Sequence, residues 1–149
     1  MTPAPHTLRI RPAVAADAPA IAELLDQLGY PASADDVVAR LDRLASSPTD
    51  RVLVAEQGEA GVAGVLALHW MAALHQSGDV AKIMALVVDE HRRGARVGER
   101  LVHEAATLAR AHGCATLMVT THLRRERAHR FYERLGFAFT GRRYVLALD

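Results

Sequence analysis

The order of periodic segments predicts an α/β (α+β) fold, with a mixed sheet built around one parallel strand–helix–strand unit. Three observations carry this. "VAKIMALVV" (Val80–Val88) is a nearly continuous apolar run, the pattern of a central strand buried on both faces. A helical period follows it and leads into "ATLMVT" (Ala115–Thr120), so those two strands are expected to be parallel neighbours. Ahead of them, "RVLVAE" (Arg51–Glu56) and "VAGVLALHW" (Val62–Trp70) flank the turn signal "QGEAG", which makes a hairpin.

The remaining elements follow in order. Residues 1–7 are proline-containing and read as a flexible tail, with 8–149 as a single domain. "LRIRPA" (Leu8–Ala13) alternates like a first strand. Asp17 can cap a helix that carries Ile21, Leu24, Leu25 and Leu28 on one face. Gly29 and Pro31 end it. Ser33 or Asp35 opens a second helix through Val37, Val38, Leu41 and Leu44. After a loop at Ser46–Asp50 come the hairpin and the central strand. The next helix, Val97 to His112, aligns Val97, Leu101, Ala105 and Leu108, and Gly113 stops it. "RRERAHRFYERLG" (Arg124–Gly136) reads as a last helix, with Ala128, Phe131, Tyr132 and Leu135 on one face. "FAF" and "RRYVLAL" are expected to add two short final strands.

Composition excludes several function classes. Half of the 149 residues are hydrophobic and the net charge is +1, so no global field recruits nucleic acid or a membrane surface. No apolar stretch reaches the roughly 20 residues of a membrane span. The N-terminus lacks the apolar core of a signal peptide. The single cysteine, Cys114, excludes an internal disulfide and a cysteine-built metal site. These features point to the cytoplasm. "RRERAHR" includes Glu126 and lacks interleaved aromatics, so it reads as a solvated helix face rather than a nucleic-acid patch.

The chemistry concentrates in "DEHRRGARVGERL" (Asp89–Leu101), where the central strand gives way to a helix. A turn at that place can bind anions, because the first amides of a helix have no internal partner and the helix dipole favours negative charge. Gly94 and Gly98 let backbone approach a ligand without a Cβ between. Neither well-known phosphate loop fits: there is no G-x-x-x-x-G-K-[ST], and no G-x-G-x-x-G with a following acid. The competing reading is a solvated turn whose arginines face water.

"LVVDEHRRGARVGERLVHEAATLARAHGC" resembles the acetyl-coenzyme A motif of the GNAT N-acetyltransferase superfamily, [QR]-x-x-G-x-[GA] after a strand and into a helix. Arg93 stands at its first position and Gly98 at its last. "AHRFYERLGF" (Ala128–Phe137) resembles the second hallmark, a helix carrying a tyrosine. The likeness spans about Leu8 to Leu148. It implies the GNAT fold, a mixed, mostly antiparallel sheet of six or seven strands flanked by about four helices. It departs at Arg96, which takes the motif's middle glycine. That side chain either offers its guanidinium to a phosphate or points to solvent.

The resemblance implies transfer of acetyl from acetyl-CoA to an amine by direct attack in a ternary complex. The pyrophosphate would lie on the amides of Arg93, Gly94, Ala95, Arg96, Val97 and Gly98. The pantetheine arm would pair with the strand at Leu86, Val87 and Val88. Tyr132 would protonate or hydrogen-bond the departing thiolate; spacing alone makes it a core aromatic beside Phe131. Arg124 or Arg125 would sit near the coenzyme's 3′-phosphate. No metal is implied.

The general base stays open. Where a histone-acetylating branch has a glutamate, this chain has Lys82. His69, His75 and His122 are candidates by residue type, and water relay or an amine arriving neutral are the alternatives. Cys114 has no evident partner base and reads as structural. The acceptor walls implied by the family are Asp26–Ala34, His69–His75 and Thr140–Tyr144, with Tyr30, His69 and Trp70 as candidate acceptor contacts, though Tyr30 and Trp70 read equally as core. A small amine or an amino-terminal group is the expected acceptor, and a homodimer is a family-level expectation. The alternative of another class is a non-catalytic coenzyme A-binding regulator.

Overall fold

The computed structural model describes residues 7–92, 96–121 and 125–148. Five strands form one sheet in sequential order: β1 (Leu8–Pro12), β2 (Asp50–Gln57), β3 (Val62–Met71), β4 (Asp79–Val88) and β5 (Cys114–Val119). β1 to β4 pair antiparallel, and β4 pairs parallel with β5. The helices are α1 (Ala18–Leu28), α2 (Ala34–Ala45), α3 (Val97–Ala111) and α4 (Glu126–Arg134). The expected tail at residues 1–6 lies outside the described residues.

Local chemistry explains most boundaries. Pro19 sits in the first turn of α1, where its missing N–H costs nothing, and Gly29 ends the helix at φ 98°. Ser33 caps α2: its Oγ accepts from the Asp36 amide at 3.0 Å, and Asp36 accepts from the Ser33 amide at 3.3 Å. Two apolar cores lie on opposite faces of the sheet. α1 and α2 bury Ala18, Ile21, Leu24 and Val37 against Val54, Val65 and Val87. On the other face α3 buries Val97, Leu101, Val102, Ala105 and Ala109 against Leu66, Leu68, Trp70, Ala81 and Ile83.

Two expectations need correction. The final pair of strands does not form: residues 137–148 carry no strand pairing, and Phe139, Tyr144, Val145, Leu146 and Leu148 are exposed. A short hairpin gains little on its own, and β5 offers an edge of only six residues to dock on. The second is local: β4 is buried on both faces, through Ala81 and Ile83 on one and Val87 on the other, but Met84 between them is 57% exposed.

Candidate functional site

The parallel pairing of β4 with β5 is short. It ends at Ile83 opposite Val119, so among the described residues β4 continues from Met84 to Val88 with no strand on that side. The divergence coincides with an irregularity on the β3 side. Ala67 faces Ala85 and Leu68 faces Ile83, which leaves Met84 as a bulge without a β3 partner. A bulge bends and twists its strand, and the result is a slot bounded by the free backbone edge of β4.

α3 starts beside this slot. Arg100 is the first helical residue whose amide finds a carbonyl, that of Arg96 at 3.0 Å. The amides of Val97, Gly98 and Glu99 have no intrahelical acceptor among the described residues, and Arg96 supplies no side-chain cap. Arg96 lies at φ 60°, ψ 26°, the left-handed region that favours glycine. The chain therefore keeps the geometry of the motif's middle glycine while carrying an arginine. That side chain is 82% exposed, with Glu99 4.0 Å away. Arg93, Gly94, Ala95, His122 and Arg124 lie outside the described residues.

Close packing fixes the helix end. A Cβ on Gly98 would come within 3.1 Å of the Phe131 ring and 3.4 Å of Val88 Cγ2, so this glycine lets α4 and β4 approach α3. Gly64 on β3 does the same from below. A Cβ there would meet Val97 Cγ1 at 2.9 Å and Leu101 Cδ1 at 3.0 Å. The sequence reading missed Gly64; a glycine inside the strand pattern "VAGVLALHW" was the available signal.

The approach to the turn is tied down. The Asp89 carboxylate accepts from the His91 amide at 3.0 Å and from Gln27 at 3.4 Å, with Arg92 at 3.5 Å. The His91 amide, then Gln27 and Arg92, hold the Asp89 carboxyl below its ordinary range despite partial burial. Gln27 also accepts from the Glu90 amide at 3.0 Å. Arg92 donates to the carbonyls of Ala60 and Gly61, so its guanidinium is spent on the β2–β3 turn.

Tyr132 is half-buried on α4, edge-on to Phe131 (5.1 Å) and Phe137 (5.4 Å). Burial raises its phenol above the ordinary value, and Arg125 opposes that. Among the described residues none hydrogen-bonds its hydroxyl and no buried side-chain oxygen lacks a partner, so the hydroxyl is not sealed in the core.

The candidate acceptor contacts separate. Tyr30 is 67% exposed in the α1–α2 connection. Trp70 is buried on the α3 face, stacked on His112 at 4.2 Å, with the Arg51 guanidinium 5.1 Å from its ring. His69 lies on the opposite face and contacts Asp50. Cys114 is half-buried, and burial raises its thiol.

This slot, with a glycine-seated helix N-terminus beside a forked sheet, agrees with a family-level match: residues 18–137 fit the Acetyltransferase (GNAT) family. The chain belongs to the GNAT family. It is 33% identical over 129 residues to an aminoalkylphosphonate N-acetyltransferase of Salmonella typhimurium, covering 86% of this chain and 80% of that relative. A transcriptional regulator from Bacillus halodurans C-125 superposes with a TM-score of 0.87 at 24% identity, over 95% of this chain and 100% of the other. An aminoglycoside N-acetyltransferase in complex with coenzyme A gives 0.84 at 16% identity, over 99% of each chain. As a GNAT protein, the chain has the fold of an acetyltransferase. Among its described residues, no helix is long and apolar enough to cross a membrane.

Proposed function

We propose that the protein transfers acetyl from acetyl-CoA to the amine of a small molecule, by direct attack within a ternary complex. The observation that carries this is the edge of β4 from Met84 to Val88, which no described strand pairs, opening beside α3 amides that have no acceptor among the described residues. An extended pantetheine arm can hydrogen-bond such an edge as an added strand would. A pyrophosphate matches helix amides seated on a glycine. Leu86, Val87 and Val88 would hold the arm. Arg93, Gly94, Ala95, Arg96, Val97 and Gly98 would hold the pyrophosphate through backbone.

The thioester supplies an activated acyl carbon and a thiolate leaving group. A β4 amide near the bulge polarises the carbonyl oxygen and stabilises its developing charge. Tyr132, kept protonated by burial, donates its hydroxyl proton to the departing sulfur. The Salmonella relative acts on aminoalkylphosphonates, so such amines head the acceptor list. The single cysteine supports a cytoplasmic setting.

Thermal unfolding with and without acetyl-CoA tests the reading. At 100 times its Kd the donor should stabilise by about 2.7 kcal/mol, or roughly 5–10 °C at this chain length. Gly98→Glu, which forces a side chain between α3 and Phe131, should abolish that shift. No shift in the native protein would defeat the proposal. Binding without turnover of any amine would favour the non-catalytic regulator.

A further inference from the structure

On the α2 side of the sheet, next to the bulge, lies a cavity of about 300 Å³. Leu44, Val52, Ala67 and Met84 give it apolar walls, and Asp50 and His69 give it a polar floor. Met84 also begins the open edge of β4. One wall is thus common to this cavity and to the slot assigned above to the acetyl donor.

Asp50 and His69 are direct cross-strand partners on β2 and β3. His69 Nδ1 is 3.0 Å from Asp50 Oδ1, with the side chains 31% and 17% exposed. The other carboxylate oxygen, Oδ2, accepts from Ser47 Oγ at 2.5 Å and from Thr49 Oγ1 at 3.3 Å. A carboxylate can only accept, so in the neutral imidazole the proton sits on Nδ1 and the Nε2 lone pair faces outward. Among the described residues Nε2 has no partner and no buried side-chain nitrogen lacks one, so Nε2 is open to the cavity or to solvent. The bulge row, Ala67 opposite Ala85, is one side-chain repeat from His69, about 6–7 Å along β3. That spacing accommodates an amine between base and thioester.

We propose that His69 takes the proton from the acceptor ammonium and that Asp50 is its positioning residue. This rests on the acetyl-transfer reading above. The ammonium gives one proton to His69 Nε2, which passes it to solvent. The freed nitrogen lone pair forms the C–N bond, and collapse of the tetrahedral adduct breaks the C–S bond. Tyr132 protonates the sulfur and regains its proton from the new amide nitrogen through water. The charged groups around His69 are Asp50 on β2 and Lys82, its register partner on β4; Arg51 donates to its neighbour's carbonyl at 2.8 Å and turns toward Trp70; α2 contributes only Leu44 to the cavity.

The test compares native protein, His69→Gln and Asp50→Asn, using acetyl-CoA with aminoalkylphosphonates and simple alkylamines from pH 6 to 10. In His69→Gln, kcat/KM for the amine should fall about 10²-fold at neutral pH. The loss should shrink as pH rises toward the amine's own titration, because a neutral amine needs no base. Asp50→Asn should lower kcat with an altered pH profile, and Ser47→Ala should do so more weakly. The acetyl-CoA-induced thermal shift should persist in all three. A native pH profile in His69→Gln overturns the assignment. A lost thermal shift in both variants would make the pair structural. A native protein that binds no acetyl-CoA, or binds it and acetylates no amine, overturns the transfer reading and this one with it.

Discussion

Gly64 sits under the first turn of α3, paired with Ala55 on β2 and Val88 on β4. Replacing it by alanine places a Cβ 2.9 Å from Val97 Cγ1, 3.0 Å from Leu101 Cδ1 and 3.1 Å from the Val87 carbonyl oxygen. The oxygen is fixed by the sheet. Val97 and Leu101 are 2% and 0% exposed, so neither can swing out. Restoring ordinary contacts means lifting the start of α3 by roughly half an ångström, and overpacking of this kind costs about 1–3 kcal/mol. Alanine recovers about 0.5–1 kcal/mol of strand preference. The net expectation is a loss of about 1–2 kcal/mol, which lowers Tm by roughly 2–8 °C. The lifted turn also leaves the β4 edge, so the acetyl-CoA-induced shift should shrink more than stability does. Calorimetry with and without acetyl-CoA reads both quantities. Gly141→Ala is the control, since nothing lies within 4 Å of that position and its φ is not positive. If Gly64→Ala melts at or above the native temperature, the close seating of α3 is wrong.

Three further expectations follow from the same geometry. Tyr132→Phe should lower kcat about 10²-fold with little change in acetyl-CoA binding, and native activity should persist to a pH above the ordinary phenol range, because burial raises that group; unchanged kcat would return Tyr132 to a packing role. Arg96→Gly relieves a left-handed residue worth about 1–2 kcal/mol but gains unfolded-state entropy, so a rise of about 0.5–1 kcal/mol is expected, with acetyl-CoA affinity held; a tenfold loss of affinity would instead place the guanidinium on phosphate. Asp17, 7% exposed and held by Arg11 at 2.8 Å and by the Val14 amide, has its carboxyl lowered chiefly by the Arg11 hydrogen bond. Its contribution is present above the ordinary carboxylate range and is lost as pH falls through the lowered value. Asp17→Asn should cost about 1.5–3 kcal/mol at neutral pH and flatten the acid limb of Tm against pH.

Elements with local signals were legible in the chain. Gly29 ends α1, although Asp17 precedes it without the expected side-chain cap; Ser33 opens α2, and the spacing of Val97, Leu101 and Ala105 marks α3. The parallel unit followed from order alone. The last two strands were not foreseeable as absent, because "FAF" and "RRYVLAL" carry strand composition while pairing depends on a distant edge. The turn and Tyr132 could be singled out by motif. The Asp50–His69 contact could not: it joins residues 19 positions apart through strand register, and Asp50 read as the end of a loop. Lys82 was noticed only for the carboxylate it replaces, whereas register puts it beside His69.

The fork between β4 and β5 has a thermodynamic consequence. In most sheets the weakest amides are at the outer borders, and the interior opens only with the whole fold. Here the second half of β4 is an interior strand with one rank of backbone groups that no described strand pairs. Opening would thus be expected to start from the middle of the sheet rather than its border. A guest that satisfies those groups would act as a keystone, slowing amide exchange at Met84–Val88 and carrying that protection into β3 and α3. Occupancy and cooperativity would then rise together, and the protein would be most solid while holding its donor.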